Sequence, residues 1–304
     1  MNFDVIIIGG GAAGISAALW CDEIGLDALL LESNTELGGQ LLWIYNEIKN
    51  HLGIEAKNGR ELRDIFIKQA EKRNFTTRLK TKVREVNLKG KSVTLETGET
   101  LFSRAIIIAT GIKRRKLNIE GEEKFQNKGI IQSGKRDQIL VKGKTATIIG
   151  GGDAAFENAL ILAETAAKVF LVHRGESFRA RKEFVEKVLE NPKVKILTET
   201  VVTKFIGDEQ IKAVELKNIK TDDTEILPTD AVLIRIGVAP DTEMFGGKIN
   251  LDEQGYIKID SRCETSVKGI FAVGDAANPV APTISSAVGM GATAAKAISF
   301  KSQV

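Results

Sequence analysis

The chain has 304 residues, 43% of them hydrophobic, which is enough to bury about two cores. Glycine is abundant at 29 and proline scarce at 5, a balance that excludes a disordered chain and fits an α/β protein with tight turns. A net charge of +3 is too mild for a nucleic-acid binder, and the basic runs Lys113 to Lys116, Lys135-Arg136 and Arg179 to Lys182 are short enough to be solvated faces or a patch for an acidic partner.

Val5 to Ile8 is a short apolar run of the kind that forms a fully buried parallel strand. Glycines follow, then an alanine-rich helix from about Ala12 to Ile24 and a second strand, Ala28 to Leu31. Leu62, Ile65, Phe66 and Ala70 give Glu61 to Lys72 the spacing of an amphipathic helix. From Thr81 to Phe102 the alternation changes, with turns at Lys89-Gly90 and Thr97-Gly98, and predicts small antiparallel strands. Ala105 to Ala109 returns to a buried parallel strand.

The second half repeats this order. Thr145 to Ile149 is a strand, Gly150 to Gly152 a glycine turn, Ala154 to Ala163 a helix and Val169 to Val172 a strand. Val194 to Leu216 again predicts antiparallel β structure, followed by a strand at Ala231 to Ile236. The repeat period of roughly 140 residues is too long for a solenoid and suits two related dinucleotide-binding domains. The tail from Gly269 carries a strand, a Gly-Asp turn and a long helix; it is too small to stand alone and is expected to complete the first domain. The expectation is therefore an α/β chain of two Rossmann-like dinucleotide-binding domains with small antiparallel β insertions. Residues 1–114 and 239–304 form the first and residues 115–238 the second.

Three motifs carry the chemistry. In Gly9-Gly10-Gly11-Ala12-Ala13-Gly14, the first glycine allows a tight turn, the second lets backbone approach a pyrophosphate, and the third lets helix and strand pack closely. The helix start offers N–H groups and a positive dipole end to the phosphates. Glu32 closes the next strand 18 positions after Gly14, where a carboxylate can accept both hydroxyls of an adenosine ribose. The second motif is Gly150-Gly151-Gly152-Asp153-Ala154-Ala155; its following strand ends not in a carboxylate but in His173-Arg174, with Arg179 nearby. Guanidinium groups there suit a 2′-phosphate and favour NADPH over NADH. In the third, a strand delivers Gly274-Asp275. The aspartate can bond a polyol such as ribityl, and the helix starting near Thr283 can hold the anionic edge of a reduced flavin.

Cys21 and Cys263 are the only cysteines, and His51 and His173 the only histidines. There is no CxxC, no zinc spacing and no metal cluster to expect. Nothing demands an oxidising compartment, no signal peptide or membrane-spanning apolar stretch is read, and a cytoplasmic protein without nucleic acid or membrane partners is expected.

These residues resemble the low-molecular-weight thioredoxin reductase-like family of FAD-dependent pyridine nucleotide-disulfide oxidoreductases along nearly the whole chain. The markers are Gly9 to Gly14, Gly38-Gly39-Gln40 with Asn50, Ala109-Thr110-Gly111, Gly150 to Ala155, His173-Arg174 with Phe178-Arg179-Ala180, and Thr265-Ser266 leading to Gly274-Asp275. The resemblance implies an FAD domain built from both chain ends, a central NADPH domain and a homodimer. It places Gly39, Gln40, Asn50, Val83, Thr110, Gly111, Thr283 and Ile284 at the FAD, and Gly150, Gly152, Asp153, Ala154, Ala155, His173, Arg174 and Arg179 at the NAD(P)H.

The resemblance breaks where the family carries its CxxC. The run is Gly129-Ile130-Ile131-Gln132-Ser133-Gly134-Lys135-Arg136-Asp137, so Ser133 and Arg136 stand in the cysteine positions. Gly175 and Glu176 depart from the family's second arginine, which keeps NADH open as the alternative nucleotide, and Pro282-Thr283 replaces its Arg-Gln pair. Some relatives without CxxC are ferredoxin reductases with a C-terminal aromatic on the flavin; here Phe300 is the only late aromatic and is expected to be ordinary helix packing. The function expected is transfer of hydride from NAD(P)H to FAD and of electrons to an external acceptor. That acceptor is an acidic ferredoxin- or flavodoxin-like protein or a small molecule, with Asp137 a candidate proton donor. The alternative is a flavoprotein that senses nicotinamide or redox state through partner binding.

Overall fold

The computed structural model describes residues 2–302, with side chains described for 2–299; the Phe300 side chain lies outside them. The chain divides into two compact units, one up to Lys113 and again from Ala239, the other Arg114–Val238.

The first unit opens with β1 (Asn2–Ile8), α1 (Ala12–Glu23) and β2 (Ala28–Leu31), continues through α2 (Gly59–Ala70), β3 (Thr76–Arg78), β4 (Val83–Asn87), β5 (Ser92–Leu95) and β6 (Thr100–Ile108), and leaves by β7 (Ile112–Arg114). Pairing is parallel and in register from Val5↔Ala28 to Ile8↔Leu31 and from Val5↔Ala105 to Ile8↔Ile108. Because side chains alternate across a strand, this register sorts the apolar residues into two cores. Ile6, Ile8, Leu29, Leu31, Ile106 and Ile108 face Val86, Val93 and Leu95 of the hairpin. Val5, Ile7, Ala28, Leu30 and Ile107 face Ala17, Cys21 and the last helix.

Sequence patterning treats Thr81 to Phe102 and Ala105 to Ala109 as separate strands. The antiparallel strands are β4, β5 and the start of β6, but β6 runs on unbroken through Ala105 to Ile108 as one nine-residue strand. Thr100 to Phe102 pair antiparallel with β5, and from Phe102 onwards the strand pairs parallel with β1.

The second unit contains β8 (Ile130–Ile131), α3 (Gly134–Asp137), β9 (Thr145–Ile149), α4 (Asp153–Ala163), β10 (Lys168–Val172), α5 (Lys182–Leu189), β11 (Val194–Leu197), β12 (Thr200–Gly207), β13 (Ile211–Asn218), β14 (Thr224–Pro228) and β15 (Ala231–Ile234). Its parallel sheet has the order β11-β10-β9-β15-β8, and β12-β13-β14 form a separate antiparallel sheet. One expectation is corrected here. Val194 to Leu197 is not antiparallel: β11 pairs parallel with β10, Val169↔Val194 to Val172↔Leu197. The reason is α5, which the sequence reading does not anticipate. It packs Phe184, Val185 and Val188 on the core as a crossover helix and brings the chain back in the same direction.

β16 (Val238–Pro240) returns the chain to the first unit, where β17 (Ile270–Ala272) pairs parallel with β6 and α6 (Ile284–Ser302) packs on α1. The two helices meet closely: a Cβ on Gly291 would sit 2.4 Å from the Ala13 carbonyl, and Ser16 donates to the Val288 carbonyl at 2.7 Å. Among the described residues no helix is long and apolar enough to cross a membrane.

Candidate dinucleotide and redox sites

At the carboxyl ends of β1, β2 and β6 the first unit holds a cleft of about 660 Å3. Gly9 turns out of β1 at φ +109, and a Cβ there would lie 2.4 Å from the Ala109 carbonyl oxygen. Gly14 does not line the cleft but lets α1 pack closely on the turn, since a Cβ there would be 1.9 Å from the Gly9 carbonyl oxygen. Gly11 begins α1 with no side-chain cap, so the first N–H groups beside Ala12 and Ala13 remain for a ligand in the cleft. Only a glycine turn gives this open approach, and a phosphate fits it.

Glu32 is buried at the cleft wall. One carboxylate oxygen accepts the Gly10 N–H at 2.8 Å, and the other accepts the Asn34 N–H and side-chain amide at 2.8 and 2.7 Å. The lining also includes Gly39, Gln40, Thr110 and Gly111, with Val83 and Ile284. Gln40 donates to Asp275 at 2.6 Å across 235 residues of sequence, and Gly274 precedes it at φ +68. Burial raises the Asp275 carboxyl above its ordinary value, and the Gln40 bond opposes that rise.

Two expectations about this unit change. Asn50 is exposed and lies outside the cleft lining. Thr283 lines the cleft, but its N–H is turned onto the Ala281 carbonyl at 2.8 Å, while its hydroxyl accepts the Ser286 N–H at 3.2 Å. It serves as the cap of α6 rather than as a donor to a ligand.

In the second unit Gly150 to Gly152 connect β9 to α4. Gly152 begins the helix without a side-chain cap, and a Cβ on it would meet nothing within 4 Å. The His173 ring packs where a Gly151 Cβ would be, 2.2 Å away, and its Nε2 bonds the Ser177 carbonyl at 3.0 Å. The loop it supports returns the Arg179 N–H to the Gly151 carbonyl at 2.9 Å. Arg174 and Arg179 are exposed at the loop's surface. Ala154 is exposed and Ala155 buried in the first turn of α4. Asp153 accepts the Arg181 N–H at 2.7 Å and its Nε at 2.9 Å, so the carboxylate at this helix start is neutralised by a residue that motif reading passes over.

Ser133 and Arg136 sit in and before α3, and neither is idle. Ser133 caps the helix by accepting the Arg136 N–H at 3.3 Å. Arg136 forms an ion pair with Asp137, whose carboxylate also accepts the Gln132 and Ser133 N–H groups at 2.8 and 3.0 Å. Burial raises the Asp137 carboxyl, but the Arg136 guanidinium and the two backbone N–H groups outweigh it and hold the group below its usual range. A carboxyl held ionised is a poor proton donor, which works against the expected catalytic part for Asp137. We expect Asp137→Asn to leave steady-state turnover within about twofold and to cost about 1–2 kcal/mol of stability, read by urea unfolding. The sign in acid follows. The unfolded carboxyl protonates first, near pH 4, so its contribution is in place above that pH. It then drains away as pH falls through the lower folded value. The Asn variant is expected to lack that part of the acid dependence.

Several cleft residues carry no motif signal: Trp43, Lys82, Asp241 and Met244 reach it from loops distant in sequence. Asp241 also helps to anchor the wall, because its carbonyl accepts the Thr110 hydroxyl at 2.7 Å.

A family model described as pyridine nucleotide-disulphide oxidoreductase matches residues 3–291. A 34.2 kDa protein in the rubredoxin operon of Clostridium pasteurianum is 32% identical over 97% of this chain and 95% of its own. Thioredoxin reductase of Streptomyces coelicolor is 34% identical over 96% of this chain and 91% of its own. Among solved structures, Lactococcus lactis thioredoxin reductase in its FR conformation superposes with a TM-score of 0.85 at 31% identity, covering 99% of this chain and 100% of that one.

Proposed function

The chain belongs to the pyridine nucleotide-disulphide oxidoreductases, and from that membership we propose that it oxidises NADPH with FAD and delivers the electrons to an external acceptor, without an internal dithiol. It is an NAD(P)H-dependent flavoprotein oxidoreductase of thioredoxin reductase-like build. The glycine cradle in the first unit fits the FAD of that family. Gly9, Gly11 and the start of α1 hold its pyrophosphate, Glu32 its adenosine ribose, and Gln40 and Asp275 its polyol chain. Bound there, FAD supplies a group that takes a hydride from a reduced nicotinamide and releases its electrons singly or in pairs. Gly150, Gly152 and the start of α4 hold the nicotinamide dinucleotide. Arg174 and Arg179 select a 2′-phosphate by charge-assisted hydrogen bonds.

The observation that carries the external acceptor is the pairing at the dithiol position. Ser133 is a helix cap and Arg136 an ion-pair partner, and neither can store electrons as a thiol. The place of one relative in a rubredoxin operon supports an electron-transfer partner. We infer a cytoplasmic homodimer, which equilibrium sedimentation tests.

Anaerobic titration with NADPH and with NADH, followed by flavin absorbance, tests the reading. NADPH is expected to bleach the flavin at the lower concentration, and Arg179→Gln to reduce that preference about tenfold. If neither nucleotide bleaches it, the protein does not oxidise nicotinamides in this way.

A further inference from the structure

The dinucleotide cleft of the first unit is lined by one large side chain that its glycine motifs do not account for. Gly39–Trp43 forms a short 3-10 helix between Gly38 and Ile44. Residues three apart eclipse one another in such a helix. Leu41 and the following Ile44 share one side and pack into a small core with Ala56, Leu62 and Phe66. Gln40 and Trp43 share another. The Gln40 amide donates to Asp275 at 2.6 Å in the cleft, and Trp43, one turn further on, lines the cleft as well.

The turn also has a direction. It starts at the glycine cradle, where Gly38 bridges to Gly11 and a Cβ on Gly39 would lie 3.0 Å from the Gly11 Cα. It then passes Gln40 and Asp275, and a rise of about 2 Å per residue takes Trp43 about 8 Å from Gly39. Glu32 joins the cradle separately, through the Gly10 N–H. A dinucleotide with its pyrophosphate at Gly11, its adenosine ribose at Glu32 and its polyol at Gln40 and Asp275 therefore carries its flavin ring to the Trp43 end.

The backbone beneath Trp43 is held in place. The Gly59 N–H donates to the Ile44 carbonyl at 2.9 Å, and a Cβ on Gly59 would lie 1.9 Å from the Leu41 carbonyl oxygen. The indole is 47% exposed, which leaves a large flat apolar surface to cover. Among the described residues it is the one aromatic side chain that lines the cleft.

We propose that the Trp43 indole packs on the isoalloxazine ring of bound FAD, as a positioning residue that also lowers the flavin's reduction potential. The inference rests on the FAD placement proposed above. An indole is electron-rich and an oxidised isoalloxazine electron-poor, so their stacking favours the oxidised ring over the reduced one, which has gained an electron pair. A flavin held down in this way is the stronger donor to an external acceptor.

Flavin fluorescence and midpoint potential of the FAD-loaded protein test it. An indole in contact with an excited flavin passes it an electron and quenches its emission; leucine and phenylalanine do not. Trp43→Leu is expected to raise flavin emission severalfold and to move the midpoint potential upward. It is also expected to weaken FAD binding about two- to tenfold, because a stacked aromatic pair is lost. Trp43→Phe keeps a ring to stack, so its FAD affinity is expected to stay within about twofold of the parent while its emission rises. If the leucine variant fails to fold, the phenylalanine variant carries the test by emission alone. Trp20→Phe is the control: Trp20 lies in α1 outside the cleft lining, with Lys296 Nζ 4.7 Å from its ring centre, and emission is expected to stay quenched. The proposal is overturned if the FAD-loaded Trp43 variants emit no more than the parent. Raised emission with an unchanged midpoint potential keeps the stack and overturns its part in the potential. None of these measurements uses a nicotinamide. A flavin that neither NADPH nor NADH bleaches therefore sinks the proposed function and leaves the stack standing, and a bleached flavin whose emission ignores Trp43 does the reverse.

Discussion

Gly9→Ala is expected to yield a colourless protein whose first unit is destabilised by about 3 kcal/mol or more. Two costs add. The backbone at Gly9 has φ +109, outside the regions that a residue with a Cβ adopts readily, and holding alanine there costs about 1–3 kcal/mol. The added methyl would also lie 2.4 Å from the Ala109 carbonyl oxygen and 2.8 Å from its carbon. Those are backbone atoms that cannot swing aside as a flexible side chain would. The Ala109 N–H donates to the Ile8 carbonyl at 2.8 Å, and the Gly9 N–H donates to the Leu31 carbonyl at 2.8 Å, so retreat breaks the ends of three parallel strands. Overpacking of that kind adds about 1–3 kcal/mol. The same displacement opens the turn on which the dinucleotide pyrophosphate is proposed to sit, so FAD is lost before the fold is. Urea unfolding and the flavin absorbance of the purified variant read the two effects. Gly25→Ala separates strain from clash: Gly25 has φ +75, but a Cβ there meets nothing within 4 Å. It is expected to cost only about 1 kcal/mol and to stay yellow. A yellow Gly9→Ala protein with an unchanged urea midpoint would falsify the cradle.

What could be read from the sequence was local. The glycine turns, their flanking strands and the helices behind them are specified within short windows, because one φ value or one close approach decides each residue. Continuity and direction were not local. Nothing between Thr100 and Ile108 says that one strand will change partners midway from antiparallel to parallel. β11 resembles a hairpin strand until α5 is recognised as a crossover. At the sites, residue type suggested chemistry that hydrogen bonding has already assigned elsewhere. Asp137 reads as a proton donor until the Gln132 and Ser133 N–H groups and Arg136 are found around it. His173 reads as a nucleotide contact, and nothing in the motif says that its ring also fills the space over Gly151. Arg114 and Arg235 are brought to a single carbonyl, that of Gln132, by β7 and β15, and no spacing rule pairs them.

The folded protein is expected to show no fast-reacting thiol, either as isolated or after reduction with NADPH. Cys21 faces the sheet from within α1 and is fully buried; Cys263 is 4% exposed. Burial, with a smaller push from Asp4, raises the Cys21 thiol to about 12; burial, with a smaller push from Asp260, raises Cys263 to about 11. At pH 8 the thiolate fractions are then roughly one in ten thousand and one in a thousand, against about a quarter for an ordinary cysteine. The thiolate is the nucleophile, so reaction with 5,5′-dithiobis(2-nitrobenzoic acid) is expected to be slowed about a hundredfold or more. Unfolding in denaturant should release both thiols at the rate of unfolding. The pH dependence has a definite sign. The unfolded thiols ionise near pH 8.5 and the folded ones only above it. The native state therefore keeps this contribution below that pH and loses it as pH rises towards the folded values. Restoring a dithiol at the family position gives the positive control. Ser133→Cys with Arg136→Cys puts one sulfur at a buried helix cap and the other at a half-exposed site, and the second thiol should react quickly. It also strips Asp137 of its guanidinium, so the double variant should be the less stable protein. If NADPH alone unmasks a reactive thiol in the unaltered protein, Cys21 or Cys263 leaves its buried site when the flavin is reduced, and the prediction of silent thiols is wrong. If the thiols stay silent while the flavin bleaches, the electrons leave the protein by a route that uses no sulfur of its own.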